Sequence, residues 1–208
     1  LQNYAELMFT PLVEAEQEAA GTRAIYAEKY PARTKSGLGP EERAFLESRS
    51  TIYMATVSET GWPYIQHRGG PKGFLNVLDG ETIGFADYRG IRQFISKGNL
   101  VHDDRVSVFA VDYPARARLK LQGHARMVAV SEAPELAARL AVEGQGRVER
   151  VVTIRVVAFD WNCQQFITER YDREEVAALV GPHLAARDKR IAELEARLGT
   201  LGEDAGDI

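Results

Sequence analysis

The sequence predicts a mainly β protein (β+α), an antiparallel barrel or sandwich of six or more short strands set between helical N- and C-terminal arms. Three observations predict it. The 208 residues are 45% hydrophobic and 27% charged, with 18 Gly and 8 Pro spread along the chain, which suits one globular domain with extensions. Between Thr51 and Phe159, apolar and β-branched residues come in short runs divided by turn signals such as Ser58-Glu59-Thr60-Gly61 and Asp79-Gly80. The segments on either side are rich in Ala, Glu and Leu at helical spacing.

Taken in order, Pro11 to Tyr30 reads as one helix, with Leu12, Ala15, Ala19 and Ala20 near helical spacing and Pro31 as its stop. Pro40 in a first helical turn, with Glu41 and Glu42 near the positive end of the helix dipole, opens a short helix ending at Ser48. Ile52 to Val57 and Tyr64 to Arg68 are strands. Phe74 to Leu78 and Thr82 to Ala86 flank Asp79-Gly80 and should pair as a hairpin. Ile91, Phe94 and Ile95 predict a short helix over Arg89 to Lys97, stopped by Gly98. Arg105 to Val111 and Arg118 to Val130 are strands on either side of Asp112-Tyr113-Pro114, and Pro134 to Glu143 is a brief helix. Val148 to Phe159, a long β-branched run, is the best core-strand candidate. Arg173 to Leu201 is helical with a break near Gly181-Pro182, and Ile191, Leu194, Leu198 and Leu201 form a stripe too short to identify as a coiled coil. The expected organisation is a helical arm over 1–40, a barrel domain over 41–170 and a helical tail over 171–208.

Charge and missing motifs exclude several functions. Lys plus Arg is 26 against 30 for Asp plus Glu, a net charge of −4, which argues against a general nucleic-acid binder. The single cysteine, Cys163, cannot form an intramolecular disulfide, so the expected compartment is the cytoplasm. No apolar stretch approaches the ~18 to 20 residues of a membrane span, and Glu6, Glu14, Glu16 and Glu18 do not suit a signal peptide. Walker, Gly-x-Ser-x-Gly, His-Glu-x-x-His and Cys-x-x-Cys motifs are absent. Gly37-Leu38-Gly39 and Gly144-Gln145-Gly146 lack the third glycine of a dinucleotide fingerprint. His67, His102, His124 and His183 lie far apart, without the paired spacing of a metal site.

Four stretches carry chemistry. Phe85-Ala86-Asp87-Tyr88-Arg89-Gly90-Ile91-Arg92-Gln93 ends a strand and opens the expected helix, grouping two guanidiniums, a Gly turn and free N–H groups as a phosphate requires. The plainer reading is a solvated basic face. Gln66-His67-Arg68-Gly69-Gly70-Pro71-Lys72-Gly73-Phe74 runs polar strand residues into glycines that let a flat ligand approach, or that simply turn the chain. Arg116, Arg118 and Lys120 alternate onto one strand face, an anion-stabilising row if it lines a cleft. Asp160-Trp161-Asn162-Cys163-Gln164-Gln165 groups an indole with three amides, suited to a planar heterocycle or to an interface.

Together, Gln-His-Arg-Gly-Gly-Pro-x-Gly-Phe from Gln66 and Phe-Ala-Asp-Tyr-Arg-Gly-x-Arg-Gln from Phe85 make the chain from about Glu41 to Arg170 similar to the FMN-binding split-barrel family related to pyridoxamine 5′-phosphate oxidase. The resemblance implies a six-stranded antiparallel split β-barrel with flanking helices, and FMN as cofactor. It implies that Phe85 and Ala86 border the flavin, and that Arg92 holds the phosphate with Arg89 and Gln93 nearby. Ile91 stands where the oxidase has a further arginine, so the clamp differs. Gln66, His67 and Arg68 would line the flavin or its phosphate. Arg118 falls where the oxidase has a glutamine near the isoalloxazine, and a cation there would stabilise reduced flavin. Trp161 and Asn162 would reach the flavin from the second subunit of a homodimer.

The departures are equally specific. The oxidase's substrate-phosphate grip resembles Tyr-x-x-x-Arg-x-x-x-Ser after the Gly123 strand, whereas His124 to Arg150 contains no tyrosine, and the late Arg-x-His and closing Arg-Leu-x-Pro elements are missing. The leading expectation is an FMN-dependent oxidoreductase acting on a small-molecule substrate or electron donor, without the vitamin B6 substrate site and with no side chain identified as catalytic. His67 is the best proton-transfer candidate by its ordinary pKa, although a packed strand histidine is commoner. The alternative is a non-catalytic flavin-binding or storage protein, or a binder of another planar cofactor such as haem or a deazaflavin. A ligand-free structural dimer is a third reading.

Overall fold

The computed structural model describes residues 1–161 and 164–204, the side chains of 199–204 excepted. Leu1–Asp112 together with Arg116–Phe166 form one compact unit, and Tyr113–Ala115 with the chain from Ile167 form a second. The first unit opens with α1 (Tyr4–Met8), α2 (Pro11–Ala19), α3 (Arg23–Lys29) and α4 (Pro40–Glu47), and continues with β1 (Thr51–Val57), β2 (Pro63–Gly69), β3 (Asn76–Val77) and β4 (Thr82–Tyr88). It is completed by α5 (Ile95–His102), β5 (Arg105–Asp112), β6 (Ala117–Ala129), α6 (Pro134–Leu140) and β7 (Val148–Trp161). The protein is therefore mainly β. The described residues form one antiparallel sheet of seven strands rather than six, ordered β2-β1-β5-β6-β7-β4-β3, with β3 only two residues long.

Period-2 alternation builds this sheet. Ile52 and Met54 of β1, Val106, Val108 and Ala110 of β5, Leu119 and Leu121 of β6, and Val152, Ile154 and Val156 of β7 point to one face and make the core with Leu46, Phe74, Leu75 and Phe85. The β6–β7 register shifts at Gln122/Gly123, the bulge leaving Val157 as the extra residue. Glycine is required there, because a Cβ on Gly123 would lie 2.5 Å from the Arg155 carbonyl oxygen. The Val157 carbonyl accepts from the Gln2 N–H at 2.9 Å, which ties the N-terminus to the sheet. A second small core forms where Ala86 and Val151 pack on Ala137 and Leu140 of α6.

Four further sequence expectations for the first unit need correction. The helix expected over Pro11 to Tyr30 is two, since α2 ends in a Schellman turn at Gly21 (φ 69°), where the Thr22 N–H reaches the Gln17 carbonyl at 2.8 Å. The hairpin strand expected over Phe74 to Leu78 contracts to Asn76–Val77, although it pairs with β4 as expected (Asn76 opposite Gly84). The helix expected over Arg89 to Lys97 is instead a loop through Phe94 followed by α5, with Gly98 inside the helix rather than ending it. Arg92 (φ 61°) and Phe94 (φ 57°) are left-handed, which a helix cannot accommodate. Arg116 (φ 51°) lies in the turn before β6, so only Arg118 and Lys120 of the expected row belong to the strand.

In the second unit, α7 (Arg173–Asp204) runs uninterrupted through Pro182, against the break expected at Gly181-Pro182. Its start is closed reciprocally: the Glu175 N–H donates to Asp172 Oδ1 and the Asp172 N–H to Glu175 Oε2, both at 2.8 Å. The Arg170 guanidinium lies 5.1 Å from the Tyr113 ring centre. No helix of the described residues is long and apolar enough to cross a membrane.

Candidate functional site

The site forms where β2, β4, the 89–94 loop, the first turn of α5 and the start of β7 meet. In β4, alternation turns Phe85 into the core and Asp87 toward the same side two residues on, at the strand's end. In β2, Gln66 and Arg68 share a face and His67 takes the other. A cavity of about 180 Å³ lies between them, lined by Gln66, Arg68, Asp87, Arg92, Gln93, Ser96, Lys97 and Arg150 among others. Its lining carries four cationic side chains against one carboxylate.

Asp87 organises it. Arg68 Nη1 donates to Asp87 Oδ1 at 2.6 Å and Arg150 Nε to Asp87 Oδ2 at 2.7 Å, so one buried carboxylate orients two guanidiniums. Arg150 also meets Glu149 Oε2 at 3.2 Å, and Arg92 Nη2 donates to Glu149 Oε1 at 2.7 Å. The hydrogen bond from Arg92 holds the Glu149 carboxyl below its usual range. Arg150 and Lys97 both stand 5.5 Å from the Phe94 ring centre, and Arg68 stands 5.7 Å from that of Phe85. Ser96 Oγ donates to Gln66 Oε1 at 2.8 Å.

Arg68 and the first turn of α5 both line this cavity. Arg68 Nε is buried without a hydrogen-bond acceptor, an arrangement that is costly to leave unmade. Phe94, the N-cap of α5, offers no side-chain acceptor to the first-turn amides. A cluster of fixed guanidiniums beside a helix N-terminus is suited chemically to an anion with several oxygens, and a phosphate monoester is the common one.

The sequence-predicted residues divide into those this cavity gathers and those it does not. Gln66, Arg68, Arg92 and Gln93 line it; Phe85 and Ala86 are not among its lining residues, Phe85 being buried against Phe74 with ring centres 6.3 Å apart and Ala86 against Ala137 and Leu140 of α6. Arg89 is exposed at the loop's start, its N–H bonded to the Arg147 carbonyl. His67, on the opposite face of β2, lies edge-on to Tyr53 with Nε2 3.4 Å from Thr51 Oγ1. Arg118 is half-buried on β6, paired in register with Val111. Trp161 lines a different cavity with Tyr26, Tyr30, Arg33 and Asp160; its Nε1 donates to Glu42 Oε1 at 2.9 Å and its ring lies 4.7 Å from that of Phe45. Asn162 lies outside the described residues. Sequence reasoning missed Asp87, Ser96, Lys97, Glu149 and Arg150. Asp87 stood inside a quoted motif, but Glu149 and Arg150 carried no signal, because only the pairing of β4 with β7 (Asp87 opposite Arg150) brings them in.

Near Trp161, Asp160 accepts from Tyr30 Oη at 3.2 Å and Arg33 Nη1 at 3.0 Å, with Lys120 Nζ at 3.5 Å. Burial, and next the Asp160 carboxylate, push the Tyr30 phenol up to about 12. Among the described residues no group of three or more His, Cys, Asp or Glu is placed to hold a metal ion.

Comparison with known proteins finds that the family model described as pyridoxamine 5′-phosphate oxidase matches residues 38–158. Similar solved structures include a conserved hypothetical protein of Mycobacterium tuberculosis (19% identity, 64% of this chain and 90% of that one, TM-score 0.47). An FMN-binding protein of Syntrophomonas wolfei subsp. wolfei is 11% identical over 70% of this chain and 97% of its own, with TM-score 0.45. HupZ of Group A Streptococcus is 20% identical over 64% and 99%, also with TM-score 0.45. No curated protein matches the chain.

Proposed function

Because the chain belongs to the pyridoxamine 5′-phosphate oxidase family, we propose that it is an FMN-binding oxidoreductase whose cofactor phosphate is held in the Arg68, Arg92, Lys97 and Arg150 cavity. The observation that carries this reading is the buried Arg68 Nε without an acceptor, in a cavity whose lining is cationic and which opens on an uncapped helix N-terminus. These residues fit a phosphate dianion: the guanidiniums are already oriented by Asp87 and Glu149, so little side-chain freedom remains to be lost on binding. When bound, FMN supplies hydride or electron transfer at flavin N5. The chain's own part is to anchor the phosphate and to hold Gln66 in place through Ser96. Phe85 and Ala86 supply a buried strand end beside the ring. Its substrate is a small molecule or an electron donor.

The reading includes the family's split barrel and a homodimer. Closure of the barrel is supported by the Arg68–Asp87 contact, which joins edge strand β2 to β4, the last strand but one at the other side of the sheet order. The dimer is supported by Trp161, which lines a separate cavity in its own chain and would reach a flavin only across a subunit boundary. Purified protein should show a flavin absorbance spectrum, release FMN identified by mass, and sediment as a dimer. Colourless protein that does not bind added FMN would overturn the proposal.

A further inference from the structure

The flavin reading leaves the tail without a role. Within α7, Val180, Leu184, Ile191, Leu194 and Leu198 are exposed, at 41% to 67%. They follow a heptad with Ala177, Leu184, Ile191 and Leu198 at a, and Val180, Arg187 and Leu194 at d. The pattern spans Ala177 to Leu198, three heptads, and places Pro182 at an outward f position away from the seam. Flanking charges select the partner. The g positions are His183, Arg190 and Arg197, and the e positions after Gly181 are Asp188 and Glu195. In a parallel, in-register pair, g meets the following e of the other strand, so Arg190 faces Glu195 and His183 faces Asp188. In an antiparallel pair, g meets g and e meets e, setting arginine against arginine and carboxylate against carboxylate.

We infer that α7 forms a parallel, in-register two-stranded coiled coil with a second copy of this chain. Arg187, at a d position, meets its own counterpart across the seam, and its hydrogen bond to the neighbouring Asp188 at 2.9 Å pairs each guanidinium with a carboxylate at the flank, so this layer costs stability while the g–e pairs above and below it favour the parallel register.

The test is disulfide trapping in the full-length protein with Cys163→Ser as background and Leu184→Cys, Ile191→Cys or Leu198→Cys added singly, beside Ala196→Cys at an outward f position. Cα atoms must come within about 7 Å to be bridged, and residues 184 and 198 lie about 21 Å apart along a helix. Only the parallel arrangement lets both Leu184→Cys and Leu198→Cys cross-link to themselves. Under mild oxidation the three seam variants should form covalent dimers at least tenfold faster than Ala196→Cys. In the Ile191→Cys protein, Arg190→Glu should slow trapping several-fold and Arg190→Glu with Glu195→Arg should restore it. Trapping at no more than one of the three seam positions, the most that an antiparallel pair allows, or no preference for the seam, as a stripe covered by its own chain would give, overturns the inference. Flavin content, read by absorbance, is independent of every outcome.

Discussion

Arg92 is the residue on which the phosphate proposal turns most directly. Its guanidinium is half-exposed and already donates to Glu149, so an incoming phosphate shares or replaces a carboxylate rather than satisfying a bare charge. A charge-assisted contact contributes roughly 1.5 to 3 kcal/mol, about 10- to 150-fold in affinity, and the existing pair places Arg92→Ala near the low end. Titration of apo-protein should therefore show FMN weakened about tenfold, with riboflavin, which has no phosphate, bound equally by both forms. Unchanged FMN affinity, or a parallel fall for riboflavin, would return Arg92 to the solvated basic face. Arg92 was legible because it sits in a contiguous motif. Arg150 was not: it is distant in sequence and enters only because β7 pairs with β4, a fact that no local pattern encodes.

Among the elements, strands were read more securely than helices. Ile52 to Val57 and Arg105 to Val111 alternate because one face of each is buried, and that burial is what the pattern detects. Ile91, Phe94 and Ile95 have helical spacing, yet Ile91 is 86% exposed and no buried face produced the spacing. Besides the Gln2–Val157 backbone bond and the buried Tyr4, the N-terminal arm is held by polar contacts on one carboxylate, Asp160, which the sequence offered only as part of a Trp-amide cluster. This docking has a definite pH signature. Tyr30 titrates near 10 when unfolded and is pushed up to about 12 in the fold, so its contribution is complete below pH 10 and is lost as pH rises from 10 to 12. Tyr30→Phe should cost about 1 kcal/mol at pH 8 through the lost hydrogen bond. The gap between the two proteins in urea denaturation should narrow between pH 10 and 12. A gap that stays constant there would mean that Tyr30 is not seated on Asp160.

For the whole molecule, family membership and substrate separate. The match over 38–158 spans most of the sheet and every residue that lines the Arg68–Arg150 cavity, among them Gln66 and Arg68 from one sequence motif and Asp87, Arg92 and Gln93 from the other. Selection among substrates depends instead on which charged groups await a second phosphate. In β6 the residues beyond Gly123 are His124, Ala125, Arg126, Met127, Val128 and Ala129, and the chain then turns into the Val130–Glu132 turn and α6 without a tyrosine. His124 is itself engaged, its Nδ1 2.7 Å from Asp104 Oδ1. A site built to hold a phosphate loses several kcal/mol of binding when its charge-assisted partners are missing, since the desolvated dianion is then left unpaired. Pyridoxamine 5′-phosphate and pyridoxine 5′-phosphate should accordingly be oxidised negligibly by the FMN-loaded protein, measured as aldehyde formed per flavin under air. Turnover at the rate of a genuine oxidase would mean that other cations, such as Arg126 or a partner subunit's arginines, rebuild the grip that β6 lacks.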